Sequence, residues 1–245
     1  MLFRPRRHVA NVFRLCLNDK DTCTSKQELI GLDNMTESDR LFLRKLIREN
    51  QIPSPVLELG SGHPEHSARK LILEAGLLFT GTDIFPGSSV DFVANFEREE
   101  ELKVFEDVAP FGTVLVLNVL EHTFDPVAVL DNALSLVRRG GKLVVITPVV
   151  WTLHSFPIDT FRLNPDWYEE YAKRRGLVLD PAMFVYLGHG KVGAFRDQDR
   201  AYALPPPTNS RFKYWYSRLV HRTLNTFGRG MAFPSHVAIG AVFVR

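Results

Sequence analysis

Val56 to Glu65, VLELGSGHPE, joins a short apolar run to a glycine-rich turn and then to a segment of helical composition. A strand–turn–helix junction of this kind opens a crevice at the carboxyl end of a strand, where α/β sheets bind ligands. The residues in the turn select among those ligands. A dinucleotide site wants a third glycine in G-x-G-x-x-G, where the helix approaches the pyrophosphate. Glu65 stands at that position, an acid where an anion should sit. A Walker lysine is also missing, so phosphate binding is disfavoured.

Outward from this turn the chain alternates strands and helices. MTESDRLFLRKLIREN, before it, has Thr36 or Ser38 as N-cap and apolar residues at Leu41, Phe42, Leu46 and Ile47, a helical spacing that Pro53 ends. After it, HPEHSARKLILEAG reads as a helix with Pro64 in its first turn and Gly76 at its end. LLFTGTDIF is a second strand, VDFVANF a third, and EREEELKVFEDV an acidic helix. TVLVLNVLEH is a fourth strand, DPVAVLDNALSLVRRGG a helix, and KLVVITPVV a fifth strand. NPDWYEEYAKRRG is helical, and MFVYLG and HVAIGAVFVR are two late strands. Apolar strands alternating with helices imply a parallel sheet covered on both faces. Its ligand site then lies at the strand ends, among Glu58 to Gly62, Asp83, Asn95, Asn118 to His122 and the loop after Thr147.

The 245 residues, 45% hydrophobic, suffice for one large core. The expected division is an arm or lead-in helix over 1–35 and one domain over 36–245, with 189–235 inserted before the last strand. No apolar run reaches the length of a membrane span, and the basic N-terminus does not read as a secretory signal. Cys16 and Cys23 fit two free thiols in a reducing, cytoplasmic setting. The net charge of +2 is uneven: residues 15–188 carry 17 basic and 26 acidic side chains, whereas 189–230 carry eight basic and two acidic. Basic ends on an acidic body favour an anionic partner or a membrane surface, or are a solvated face.

An acid before the turn, Glu58, suits a ligand that brings positive charge. Asp83, at the end of the second strand, suits a ribose, because a carboxylate accepts both hydroxyl hydrogens. Together they point to S-adenosyl-L-methionine. Here the chain resembles the class I S-adenosylmethionine-dependent methyltransferases, in particular the type 11/12 small-molecule group. VLELGSG, GTDIF, NVLEHTFDP and RRGGKLVVITP carry the resemblance in order from Val56 to Pro148, and it continues more weakly beyond. It implies an α/β, three-layer Rossmann-like methyltransferase fold: a seven-stranded, mostly parallel sheet in the order 3-2-1-4-5-7-6 with an antiparallel last strand. It places the backbone of Gly60, Ser61 and Gly62 against the methionine part of the cofactor, with Glu58 acting through a water or the amino group. Asp83 takes the ribose, Ile84 the adenine face, Asn95 and Phe96 the adenine edge, and Asn118 the methionine end. Pro64 departs from the family pattern, standing where its third glycine falls.

On the acceptor side, His122 leaves strand four beside the methyl group and is the candidate general base, or else a structural hydrogen-bonder. His154 and Asp159, on the loop after strand five, face the acceptor. Arg162 either pairs an anionic acceptor group or pairs with Asp159 or Asp166. The expected acceptor is a small molecule or glycan, anionic or neutral, methylated at oxygen. Nucleic acid is disfavoured as a partner, although methylation of RNA and a catalytically inactive interaction subunit remain open. RFKYWYSRLVHRTLNTF, in the insertion, packs Trp215, Leu219 and Leu224 on the core or lies on an anionic membrane face.

Overall fold

The computed structural model describes residues 35–151, 153–154, 157–188, 191–194, 212, 215–216, 219 and 237–245. Thr36–Arg245 forms one compact unit. The expected arm and most of the expected insertion fall outside the described residues. The chain runs α1 (Glu37–Arg48), β1 (Val56–Leu59), α2 (Arg69–Glu74), β2 (Phe79–Asp83), β3 (Phe92–Val93) and β4 (Phe111–Leu117). It continues α3 (Pro126–Ser135), β5 (Val137–Pro148), α4 (Pro165–Arg175), β6 (Val178–Leu179), β7 (Val185–Gly188), β8 (Lys191–Ala194) and β9 (Ala238–Val244).

The sheet order is β3-β2-β1-β4-β5-β9-β7-β8, with β6 also pairing β9. Strands β1 to β5 pair in parallel, and β9 runs antiparallel to β5 and β7. The expected order therefore holds, with β9 and β7 as the two late strands. The short β6 and β8 bring the sheet to nine strands. All four residues of β1 are buried, as are the first six of β4, which is why these strands read as continuous apolar runs. One face buries Leu57, Val114, Val116, Leu143 and Val145 against Val129 and Leu130 of α3 and Tyr168 of α4. The alternate residues Val56, Leu115 and Val144 point the other way, where Phe42, Leu43 and Leu46 of α1 and Ile72 of α2 are buried. Gly240 in β9 admits α1 closely: a Cβ there would meet Phe42 at 2.7 Å.

Local chemistry sets the helix starts. The Thr36 hydroxyl accepts from Asp39 N at 3.1 Å, and the Asp125 carboxylate accepts from Ala128 N at 3.0 Å ahead of Pro126. Gly176 closes α4 with φ 64°, in the left-handed region.

Four elements differ from expectation. The helix after the glycine turn begins at Arg69, and Pro64 lies in a preceding turn where His66 N and Ser67 N bond His63 O. The acidic helix is a 3-10 helix, Glu99–Phe105, which buries Leu102 and Phe105. The third strand shrinks to two residues, because only Phe92 and Val93 reach β2. Strand β5 starts at Val137, so RRGG belongs to a strand and not to the end of α3. In the insertion, Trp215 and Leu219 are 60% and 45% exposed, against the expectation that they pack on the core. Leu224 lies outside the described residues. Among the described residues, no helix is long and apolar enough to cross a membrane.

Candidate active site

The glycine turn after β1 packs against the end of β2 and the segment that follows β4. Gly60 has φ 77°, and a Cβ there would come within 2.7 Å of Val119 after β4. Both requirements, a left-handed backbone and close approach, demand glycine. Gly60 N and Ser61 N donate to Thr82 O, at 2.8 and 3.1 Å, so these two amides hold the turn to β2. The fully buried Ser61 hydroxyl donates to Ser89 O at 3.0 Å. Gly62 N donates to Asp83 Oδ2 at 3.0 Å, and a Cβ at Gly62 would press on that same oxygen at 2.7 Å. The half-buried Asp83 carboxylate thus faces the turn, and its Oδ1 accepts from Phe85 N at 3.1 Å. Beside it, Ile84 and Phe85 lie exposed.

Glu58, in β1, turns its carboxylate toward the start of α2. It is 1% exposed, its Oε1 accepts from Ala68 N at 2.8 Å, and its Oε2 accepts from the Ser67 hydroxyl. Both oxygens serve the turn that starts α2. Burial pushes its carboxyl up to about 7, against the lowering effect of those two bonds. The Phe96 side chain is buried against Phe105, with ring centroids 5.7 Å apart, and forms part of the core. Asn95, of intermediate exposure, bonds locally: its side-chain oxygen accepts from Glu97 N at 2.9 Å and its own N–H donates to Glu101 at 2.7 Å.

Asn118 terminates β4 with φ 52° and donates from its side chain to Asp39 Oδ2 at 3.2 Å. Asp39 is 1% exposed, burial raises its pKa, and its Oδ1 has no hydrogen-bond partner. A 3-10 turn, Leu120–His122, follows. It presents Glu121, 2% exposed, both of whose carboxylate oxygens lack a hydrogen-bond partner. Burial pushes Glu121 up to about 8; its own backbone amide and Arg162 oppose the rise, and Asp159 and Asp39 add to it. His122 lowers its pKa through burial, although its Nδ1 donates to Ile158 O at 2.7 Å.

The loop after β5 is tied to that turn. Thr160 donates to Glu121 O from its N–H at 2.7 Å and from its hydroxyl at 3.1 Å. The link brings His154 edge-on against His122, with ring centroids 4.8 Å apart. Asp159 accepts from His154 N at 3.0 Å, lies 3.4 Å from His154 Nδ1, and takes both terminal nitrogens of Arg162. The Arg162 guanidinium holds the Asp159 carboxyl down to about 2. A carboxylate so firmly paired keeps its charge at neutral pH and holds Arg162 and the His154 backbone in place. Of the two pairings weighed for Arg162, the one with Asp159 forms. An open cleft of about 270 Å³ lies alongside, lined by Val149, Trp151, Leu153, Asp159, Phe161 and Arg162 among others.

The expected residues therefore assemble in two groups, Gly60 to Gly62 with Asp83 and Ile84, and His122 with His154 and Asp159. Asp39 and Glu121 join the second group without having been singled out in the sequence. Glu121 was within reach as the acid preceding His122, whereas nothing local distinguishes Asp39 from a surface helix residue.

No protein-family model matches the chain, and neither does any curated protein. Solved structures do. The chain is similar to 1,6-didemethyltoxoflavin-N1-methyltransferase of Burkholderia thailandensis, solved with 1,6-didemethyltoxoflavin and S-adenosylhomocysteine. Identity is 13%, the TM-score 0.55, and the match covers 99% of this chain and 91% of that one. It is similar to the plantazolicin methyltransferase, solved with a triazolic desmethylPZN analogue and S-adenosylhomocysteine, at 12% identity and TM-score 0.53 over 94% and 92% of the two chains. A SAM-dependent methyltransferase of Archaeoglobus fulgidus matches at 17% identity and TM-score 0.50 over 83% and 93%. At these identities the likeness is one of fold.

Proposed function

We propose that this chain, whose fold is that of the S-adenosylmethionine-dependent methyltransferases, binds S-adenosyl-L-methionine and transfers its methyl group to an oxygen of a small-molecule or glycan acceptor. The observation that carries the reading is the contact between Gly62 and Asp83. A glycine without room for a Cβ lies against a half-buried carboxylate, and the exposed Ile84 follows at once in the chain. A ribose suits that carboxylate, whose remaining lone pairs accept its hydroxyl hydrogens. An adenine face suits Ile84. Val119, which closes over Gly60, keeps the turn narrow on the methionine side.

When bound, the cofactor supplies an electrophilic methyl on a sulfonium. The protein's share is alignment, exclusion of water and disposal of a proton. In the transfer, the acceptor oxygen forms a bond to the methyl carbon as the carbon–sulfur bond breaks, the electron pair stays on sulfur, and the hydroxyl proton leaves. The group Glu121, His122 and His154 stands at the end of β4 and on the loop after β5, where it receives that proton. Asp159 and Arg162 act through His154 as positioning residues. The cleft along Trp151, Leu153 and Phe161 takes an acceptor with an apolar portion.

Calorimetric titration with S-adenosylmethionine and S-adenosylhomocysteine, with NAD as control and Asp83→Ala alongside, tests the reading. Binding of the first two, lost in the variant, supports it and licenses an acceptor screen by mass spectrometry for a one-methyl gain. Failure of both to bind removes the cofactor assignment and leaves a methyltransferase-like interaction subunit.

A further inference from the structure

We propose that Glu121, His122 and His154 bind one divalent transition-metal ion, with the ligand preference of zinc, beside the crevice. One ligand atom from each residue lies within 4.8 Å of the others. His122 Nε2 stands 3.9 Å from Glu121 Oε1. Bonds of about 2.0–2.2 Å to a common ion place ligand atoms roughly 3–4 Å apart. Closing the set therefore needs side-chain shifts on the order of 1 Å, within torsional reach of a loop histidine.

Three further features belong to a cation site. First, both Glu121 oxygens are buried and lack a hydrogen-bond partner, an arrangement that costs stability and that coordination to an ion would relieve. Second, the Ile158 carbonyl fixes His122 with its proton on Nδ1, leaving the Nε2 lone pair on the side of Glu121. Third, the Asp159 carboxylate stands 3.4 Å from His154 Nδ1. A carbonyl or carboxylate behind a histidine is the usual support of a metal ligand, setting its tautomer and its ring orientation. Two imidazoles and one carboxylate suit zinc and its neighbours, whereas magnesium and calcium prefer an all-oxygen shell.

Three protein ligands leave positions open on the ion. An acceptor hydroxyl bound there becomes easier to deprotonate. His122 is then a ligand and not the direct base. That role rests on the methyltransferase reading above, but the binding of the ion does not.

The test is titration of chelator-treated, full-length protein with Zn(II), followed by Co(II) absorption spectra. One ion per chain is expected. Glu121→Gln, His122→Ala and the loop variant His154→Ala should each weaken affinity at least tenfold while circular dichroism stays unchanged, and excess Mg(II) should not compete. His63 and His66, whose rings meet edge-on 5.8 Å apart, form a second histidine pair. Replacing both with alanine, or Cys16 and Cys23 with serine, should leave stoichiometry and affinity intact. Equal affinity in the three site variants, loss of the ion only in the His63/His66 or Cys16/Cys23 variants, or no binding at all would overturn the site. Zinc binding without S-adenosylmethionine binding keeps the ion site and removes the methyltransferase reading. The reverse keeps that reading and removes the site.

Discussion

Asp39, in the first turn of α1, accepts a hydrogen bond from the side chain of Asn118, at the end of β4, across 79 positions of sequence. The bond ties the helix that covers one face of the sheet to the strand end that borders the crevice. Asn118 also holds a left-handed backbone at φ 52°, a conformation that asparagine accepts and β-branched residues resist.

The Asn118 variants should therefore rank by backbone before side chain. Asn118→Gly keeps the conformation and loses the bond, at about 1 kcal/mol. Asn118→Val adds strain of about 1–2 kcal/mol. Thermal denaturation should order them wild type, then glycine, then valine. A valine variant as stable as the glycine one would mean that the turn relaxes freely.

Gly62→Ala puts a methyl group against Asp83 Oδ2. Because the half-buried carboxylate can swing aside, the melting temperature should fall by only a few degrees. Affinity for S-adenosylhomocysteine should fall at least tenfold, as the ribose partner is displaced. Unchanged affinity by calorimetry would show that Asp83 takes no part in binding.

Glu58 sets a pH dependence. Its folded pKa, about 7, lies above the unfolded value of 4.5, so the folded state holds the proton more tightly. The stability this contributes is complete below pH 4.5 and is lost as the pH rises to about 7. The shift corresponds to at most about 3 kcal/mol. Glu58→Gln should reduce the slope of the melting temperature between pH 5 and 8, leaving the share that Glu121 contributes, and a slope equal to that of the wild type would assign the effect elsewhere.

Arg162→Lys replaces a two-pronged grip on Asp159 with a single charge. With the Asp159 side chain 3% exposed, the variant should lose about 1–3 kcal/mol, since the carboxylate keeps a cation but loses hydrogen bonds. Urea denaturation of Arg162→Lys, Asp159→Asn and the double variant measures the coupling. Strict additivity would show that the pair has no energetic meaning.

Much of this was legible because it is local. The strand runs Val56–Leu59 and Phe111–Leu117 show as apolar stretches. Gly60 and Gly62 sit in a turn whose glycines follow from short-range crowding, and Asp83 ends a strand whose pattern marks its boundary. The rest depends on distance in the chain. Phe96 looks like a neighbour of Asn95 at a ligand edge, but Phe105 and Phe111 draw it into the core. Glu58 looks free until the chain folds back and delivers Ala68 N and the Ser67 hydroxyl to it. Asp39 reads as an acid suited to a helix N-terminus, and only the long-range contact with Asn118 shows it to be buried. The 3-10 form of Glu99–Phe105 was hidden because one turn of either helix buries residues three apart.

Thr160 holds the loop after β5 by two bonds to one carbonyl, that of Glu121. Two segments of chain nearly forty residues apart in sequence therefore behave as a single mechanical part. Changes in one are felt in the other, so their effects do not add. Drift in this corner of the molecule is constrained to paired steps, and transplanting either segment alone into another sheet of the same order would carry over its residues without their geometry.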